Sequence, residues 1–358
     1  MTSDPSGADG DAAGTIGDER FRGLAVATAI TTLLLILIGL YTAVAGFGLT
    51  CETRWPLCDG AVFGLFPANW GSFVEWFHRL VAMVTGFMIL GLTGLAWRGG
   101  RQRRVRYATA LATLVLPSQI VLGALTVTEY ELLILAAHFT TALLIFLPLI
   151  AVAAWAVDGG SADATGRLGW YAGLPPVLLA LGIAAAAWTL PDGPAAERVG
   201  LIAGTALPLA VVSLAAGPAV RALDGRPRPS RARTATAGAL VLLAAGIALT
   251  PGLIAASLSI TIGYYAALLA ALAGLFAAGL WAADADTDGS LRSVRLAAFG
   301  ATGLLAVQLV VSRVLFSAST TTVLAAMNVV VLVVAVAVYR LSGRLVRGST
   351  GGRAASGD

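Results

Sequence analysis

Lysine is missing from this chain of 358 residues: all 23 basic residues are arginine. Histidine and cysteine are scarce, at two residues each, and charged residues make up only 12%. A soluble domain carries about twice that charge fraction, so a soluble enzyme, a nucleic-acid binder and a disordered chain are all excluded. The few soft ligands leave few metal sites to weigh. What is abundant is apolar. Hydrophobic residues reach 58% and the mean hydropathy is +0.86, more than one buried core accounts for. The bulk of the chain therefore faces lipid. The net charge of +4 says little about nucleic acid; in a membrane protein the informative feature is which loops hold the cations.

A span needs about 20 apolar residues to cross about 30 Å of hydrocarbon. Ten segments qualify: 22–48, 73–97, 105–127, 131–156, 168–190, 199–220, 235–256, 260–282, 293–316 and 320–342. Backbone in lipid must pair internally, so these are helices. Strand-type alternation is absent, which excludes a barrel. The expected fold is all-α and polytopic, with about ten transmembrane helices.

Arginines cluster after the second span (Arg98, Arg101, Arg103, Arg104, Arg106), after the sixth (Arg221, Arg226, Arg228, Arg231, Arg233) and in the C-terminal tail (Arg344, Arg347, Arg353). The opposite loops hold only Arg54 and Arg198. By the positive-inside rule both termini are expected in the cytoplasm of a multi-pass cell-membrane protein. Residues 1–21 begin with an acidic stretch unlike a secretory signal and are expected to be a disordered cytoplasmic tail. Residues 343–358 form the other tail.

The chain also resembles itself. Ser118-Gln119-Ile120-Val121-Leu122 aligns with Val307-Gln308-Leu309-Val310-Val311 at a shift of 189. A shift of 188 carries Trp76-Phe77-His78 onto Tyr264-Tyr265-Ala266. The expected organisation is two parallel four-helix units, 22–157 (with an outer loop at 49–72) and 235–342. An extra helix pair and its Arg-rich loop, 158–234, join them. Both histidines of the first unit are replaced in the second, by Ala266 and Met327.

His78 and His138 each lie six or seven residues into spans that run inward, so both sit about 10 Å below the outer helix ends. Two imidazoles at matching depth can meet inside one bundle, where such folds build cofactor sites. Two axial nitrogens suit a six-coordinate haem iron. The plainer reading is two unrelated polar residues bonded within the bundle. A closed zinc site wants four ligands, which are scarce here. Ala82 and Gly86, four and eight residues after His78, leave room for a porphyrin face or simply allow tight packing.

Glu75 shares a helix face with His78. An intramembrane carboxylate is a functional candidate by default, for positioning a reacting group or moving protons. Its plainer role is an ion pair with Arg79. Arg79 and Arg54 are candidates to hold haem propionates, or else snorkel. Gln119 and Gln308 read as hydrogen-bond glue between helices, and Trp55, Trp70 and Trp76 as an interfacial belt. Cys51 and Cys58 lie on the outer loop, where disulfides persist, either as a staple or as a redox-active pair.

Together these residues resemble the haem A synthase family. The resemblance is carried by Gly48-Leu49-Thr50-Cys51 with Trp55-Pro56-Leu57-Cys58-Asp59-Gly60, by Glu75-Trp76-Phe77-His78-Arg79-Leu80, by Gln119-Ile120-Val121-Leu122-Gly123 with Leu125-Thr126-Val127, and by Ala137-His138-Phe139. It covers about residues 25–155. It implies an enzyme that oxidises the C8 methyl of haem O to the formyl of haem A for terminal oxidases. It also implies that His78 and His138 hold haem, that Glu75 is needed for activity, and that the cysteine pair lies on the outer loop; Arg79 and Gln119 are further candidates for cofactor contact. The chain departs from the family's second histidine pair, so no haem b is expected in the second half. Electrons would then pass to or from an unidentified donor, or another subunit of a homo-oligomer. Haem O synthase and terminal-oxidase subunits are the partners this implies. Two other readings stay open: a bis-histidine b-type cytochrome carrying haem B, and a non-catalytic factor that hands haem to an oxidase.

Overall fold

The computed structural model describes residues 6–51, 54, 58, 61–62, 66–67, 69–129, 131–158, 165–189, 195–254, 258–286, 291–314 and 318–354. Trp55 lies outside them. Ten helices dominate: α1 Ser6–Val44, α2 Trp70–Arg98, α3 Arg103–Thr128, α4 Leu132–Asp158, α5 Thr165–Thr189, α6 Ala195–Leu223, α7 Arg228–Ile254, α8 Leu258–Ala285, α9 Arg292–Val314 and α10 Ala318–Ala354. Between α1 and α2 lie a 3₁₀ turn at Phe47–Leu49 and a small antiparallel ribbon pairing Ala61–Val62 with Phe66–Pro67. Among the described residues nine helices are long and apolar enough to cross a membrane, and α6 contributes a shorter apolar stretch, Leu209–Leu223. The protein is an all-α, multi-pass membrane protein.

Local chemistry sets the helix ends. The Asn69 side chain accepts the Ser72 N–H at 2.9 Å and caps α2. Gly99 closes α2, and Gly100 turns the chain at φ +59°, a left-handed conformation that glycine adopts freely. Helix α1 runs from Ser6. Helix α10 continues to Ala354, into the expected C-terminal tail.

Helix α1 packs on α2 and α4, and α3 packs on the same two, so α2 and α4 face one another across a diagonal. The same pattern recurs with α7, α8, α9 and α10, where α8 and α10 hold the diagonal. Helices α5 and α6 pack on each other and reach the rest mainly through α1 and α8. One apolar core runs through both four-helix units, from Leu37 and Phe146 to Leu272 and Leu305. The outward faces of α2, α3 and α5 carry Phe87, Leu114 and Trp170, each more than half exposed, as helices that meet lipid require.

One end of the bundle gathers the arginines. Arg22 pairs with Asp224, Arg101 with Asp18, and Arg104 with Asp284. Residues Asp18 and Arg22 of α1, the α2–α3 turn, the end of α6 and the end of α8 therefore share one end.

Candidate functional site

The site begins in the first turns of α2. Glu75 is only 3% exposed, and a carboxylate buried this deeply must be paired. It accepts the Cys51 backbone N–H at 3.0 Å and the Thr50 hydroxyl at 3.2 Å, and it pairs with Arg79 one turn along. Arg79 also donates to the Arg54 carbonyl at 2.8 Å, and the Ser72 hydroxyl donates to the Thr50 carbonyl at 2.9 Å. Cys51 is joined to Cys58 by a disulfide. The outer loop is thus fastened to α2 through Glu75 and Arg79, at the level of His78. Charge-assisted hydrogen bonds of this kind are about twice as strong as neutral ones.

His78 projects toward α1. A Cβ on Gly39 would come within 2.9 Å of its Nε2, so only glycine leaves that nitrogen its present place. His138 projects from α4 toward α3, where a Cβ on Gly123 would lie 3.3 Å from its Cε1. Gln119 sits beside it. Its carbonyl oxygen accepts the Thr141 hydroxyl at 2.5 Å, which leaves its amide nitrogen 3.4 Å from His138 Nε2. That is a long hydrogen bond, easily exchanged. The Nδ1 of His138 is buried and has no partner. A neutral imidazole carries one donor and one acceptor, so this ring is not satisfied by the protein alone. The two imidazoles stand on α2 and α4, the two helices that face across the diagonal of the first unit.

A haem requires two nitrogen donors on facing helices and little bulk between them. His78 and His138 supply the donors. Gly39 and Gly123 present no side chain to the two rings, and a Cβ at Gly86 would meet nothing within 4 Å. The residues present fit the group. Among the described residues no cluster of three or more His, Cys, Asp or Glu is gathered for a metal ion.

The second unit is built differently at the matching positions. Tyr264 and Tyr265 are fully enclosed. Gln308 donates to the Asn328 side-chain oxygen at 2.6 Å and to the Tyr264 hydroxyl at 3.2 Å, and Asn328 donates to the same hydroxyl at 3.3 Å. Ser312 bonds the Tyr265 hydroxyl at 3.2 Å. Where the first unit has two imidazoles and glycine-lined space, the second has two phenols and a hydrogen-bonded amide pair. Gln119 and Gln308 both link neighbouring helices, the role expected of them.

Sequence reasoning named Glu75, His78, Arg79, Gln119, His138, Cys51 and Cys58. The structure brings Glu75, Arg79 and the disulfide together, and brings His138 to Gln119. It adds Gly39 and Thr141, which nothing in the linear pattern singled out. Arg79 is engaged by Glu75 and the Arg54 carbonyl.

The arrangement is an all-α membrane bundle with two imidazoles on facing helices and a buried carboxylate one helical turn from the first. The sequence model of a family described as cytochrome oxidase assembly protein matches residues 22–225, more than half the chain, and the chain belongs to that family. It is 30% identical over 135 residues to a haem A synthase of Bacillus licheniformis, covering 37% of this chain and 44% of that one. It is 34% identical over 123 residues to a haem A synthase of Alkalihalophilus pseudofirmus, covering 34% and 41%. A protoheme IX farnesyltransferase of Haloarcula marismortui is 35% identical over 147 residues, covering 40% and 31%. The chain thus spans less than half the length of these relatives. No solved structure matches it.

Proposed function

We propose that this protein is a haem A synthase-like oxidoreductase that converts the C8 methyl of haem O to a formyl group for terminal-oxidase assembly. The observation that carries this reading is the pair of imidazoles on facing helices, one with an orphaned ring nitrogen, beside a carboxylate buried by the disulfide loop. The iron porphyrin supplies the redox chemistry. The protein binds and orients the substrate. His78 and His138 hold it in the first unit, and Gly39 and Gly123 leave the rings room. Glu75, one helical turn from His78, places the reacting edge and takes up protons released as the methyl is oxidised. Arg79 pairs with Glu75 and ties it to the loop.

Beside α2, Leu37, Tyr41, Trp70, Phe73 and Phe77 form an apolar wall of the chemistry an isoprenoid chain would pack against. Arginines gathered at one end of the bundle support termini on the cytoplasmic side. Haem O synthase, oxidase subunits and a separate electron carrier are the partners this activity calls for. A homo-oligomer is one route for the electrons.

Expression in a host without its own synthase, followed by haem extraction, tests the reading. Haem A should accumulate. Bound haem O without haem A would instead mark a haem-handling factor, a reading that the filled second unit favours. Haem B alone would mark an electron-transfer cytochrome.

Two further outcomes follow from the geometry. Gly39→Val places a branched side chain against His78. Overpacking costs about 1–3 kcal/mol, so haem content per protein should fall about 5–100-fold while the protein still reaches the membrane. Unchanged haem content would show that His78 binds elsewhere. In the second unit, Ala266→His with Met327→His should not create a second haem site, because Tyr264, Tyr265, Gln308 and Asn328 already fill that space. Absorbance should still report one haem per chain. A second equivalent would show that the unit is open after all.

A further inference from the structure

The terminal torsion of a histidine is broad and roughly two-fold, so the angle of a buried imidazole has to be chosen by its surroundings. Around His138 little is available to choose it. Gly123 presents no side chain to the ring, and the ring's Nδ1 has no partner. Among the described residues the one hydrogen-bonding neighbour of this imidazole is Gln119, whose amide nitrogen lies 3.4 Å from Nε2. An amide has a loose terminal torsion of its own and must be held in turn.

Thr141 holds it. Helical threonines commonly donate to the carbonyl one turn back, as Thr140 does to Ala136 and Thr85 to Val81, each at 2.7 Å. Thr141 has the carbonyls of Ala137 and His138 at 3.0 Å, yet its nearest acceptor is the Gln119 oxygen on the neighbouring helix, at 2.5 Å. A hydroxyl has one hydrogen to give. Given to Gln119, it fixes the amide oxygen and leaves the amide nitrogen beside the imidazole.

The second unit supplies an internal comparison. At the shift of 189, Gln119 matches Gln308, His138 matches Met327 and Thr141 matches Val330. The side-chain oxygen of Gln308 is buried without a partner, and its nitrogen turns to Asn328 at 2.6 Å. The glutamine stands in both units. The hydroxyl that holds its oxygen stands only in the unit that has an imidazole to place.

We propose that Thr141 is a positioning residue for His138: it fixes the Gln119 amide, and the amide fixes the angle at which the imidazole meets the haem. This role rests on the reading of His138 as a haem ligand and does not depend on which reaction the haem undergoes.

The full chain holds only two histidines, so protein made without a histidine tag and labelled with 15N-histidine gives two rings, told apart by His78→Ala. In haem-free protein, Thr141→Val should shift or broaden the His138 ring signals, and Thr141→Ser, which keeps the hydroxyl, should restore them. Haemin is then titrated and followed by absorbance. Thr141→Val should weaken binding about 10-fold, but by no more than about 2-fold when Gln119→Leu is already present, because the two residues act as one unit. The g-values of the low-spin ferric signal follow the angle between the imidazole planes, and they should move in Thr141→Val and return in Thr141→Ser. These responses in a protein that forms no haem A would support the placement and reject the haem A reaction alone. Unchanged His138 signals in Thr141→Val overturn the proposal. So does a loss of the same size with and without Gln119, which would make Thr141 a packing residue between α3 and α4. Absence of haemin binding in the unaltered protein would overturn both this role and the haem A synthase reading.

Discussion

His78→Ala and His138→Ala are each expected to lower haem A by about 100-fold or more in a host that lacks its own synthase. Outer-shell partners of metal ligands typically cost 10–100-fold when removed, and a direct ligand costs more. Each replacement also leaves the other imidazole as a buried polar group without its counterpart, so neither residue should compensate for the other. Gln119→Leu provides the graded control. It removes the amide beside His138 Nε2 and leaves both ligands, so its loss should stay near 10-fold. Haem extracted from membranes and resolved by chromatography reads all three. Parental haem A in either histidine variant would end the proposed mechanism.

Glu75→Gln is expected to separate binding from chemistry. The glutamine keeps an oxygen for the Cys51 N–H and the Thr50 hydroxyl, so the loop stays docked. The charge opposite Arg79 is lost, and with it the capacity to take a proton. Positioned acid–base groups contribute about 10²–10⁴-fold, and haem A formation should fall by that order while bound haem O persists. The measurement is haem content and haem identity in the same purified sample. Haem A at the parental level would remove Glu75 from the chemistry. A parallel loss of total haem would make it a structural anchor of the loop and nothing more.

Much of the architecture was legible because lipid imposes one rule, that each crossing is a helix of about 20 apolar residues. Each of the ten expected spans overlaps one of the ten observed helices. Glu75 and His78 were legible as costly intramembrane groups on one helical face. Gly39 was not, since a glycine in a membrane helix is ordinary until the ring it faces is known. The closure of the second unit was half legible. The alignment showed Ala266 and Met327 replacing histidines, but not that Tyr264 and Asn328 join Gln308 in one network, because that requires three helices to be placed together.

The central claim is that His78 and His138 bind one iron between them. Electron paramagnetic resonance of the ferric protein, with haem and protein quantified together, addresses it most directly. A low-spin bis-imidazole signal at one haem per chain, lost in both His78→Ala and His138→Ala, is the expected result. A high-spin signal in the unaltered protein, or a low-spin signal that persists in either variant, would contradict it.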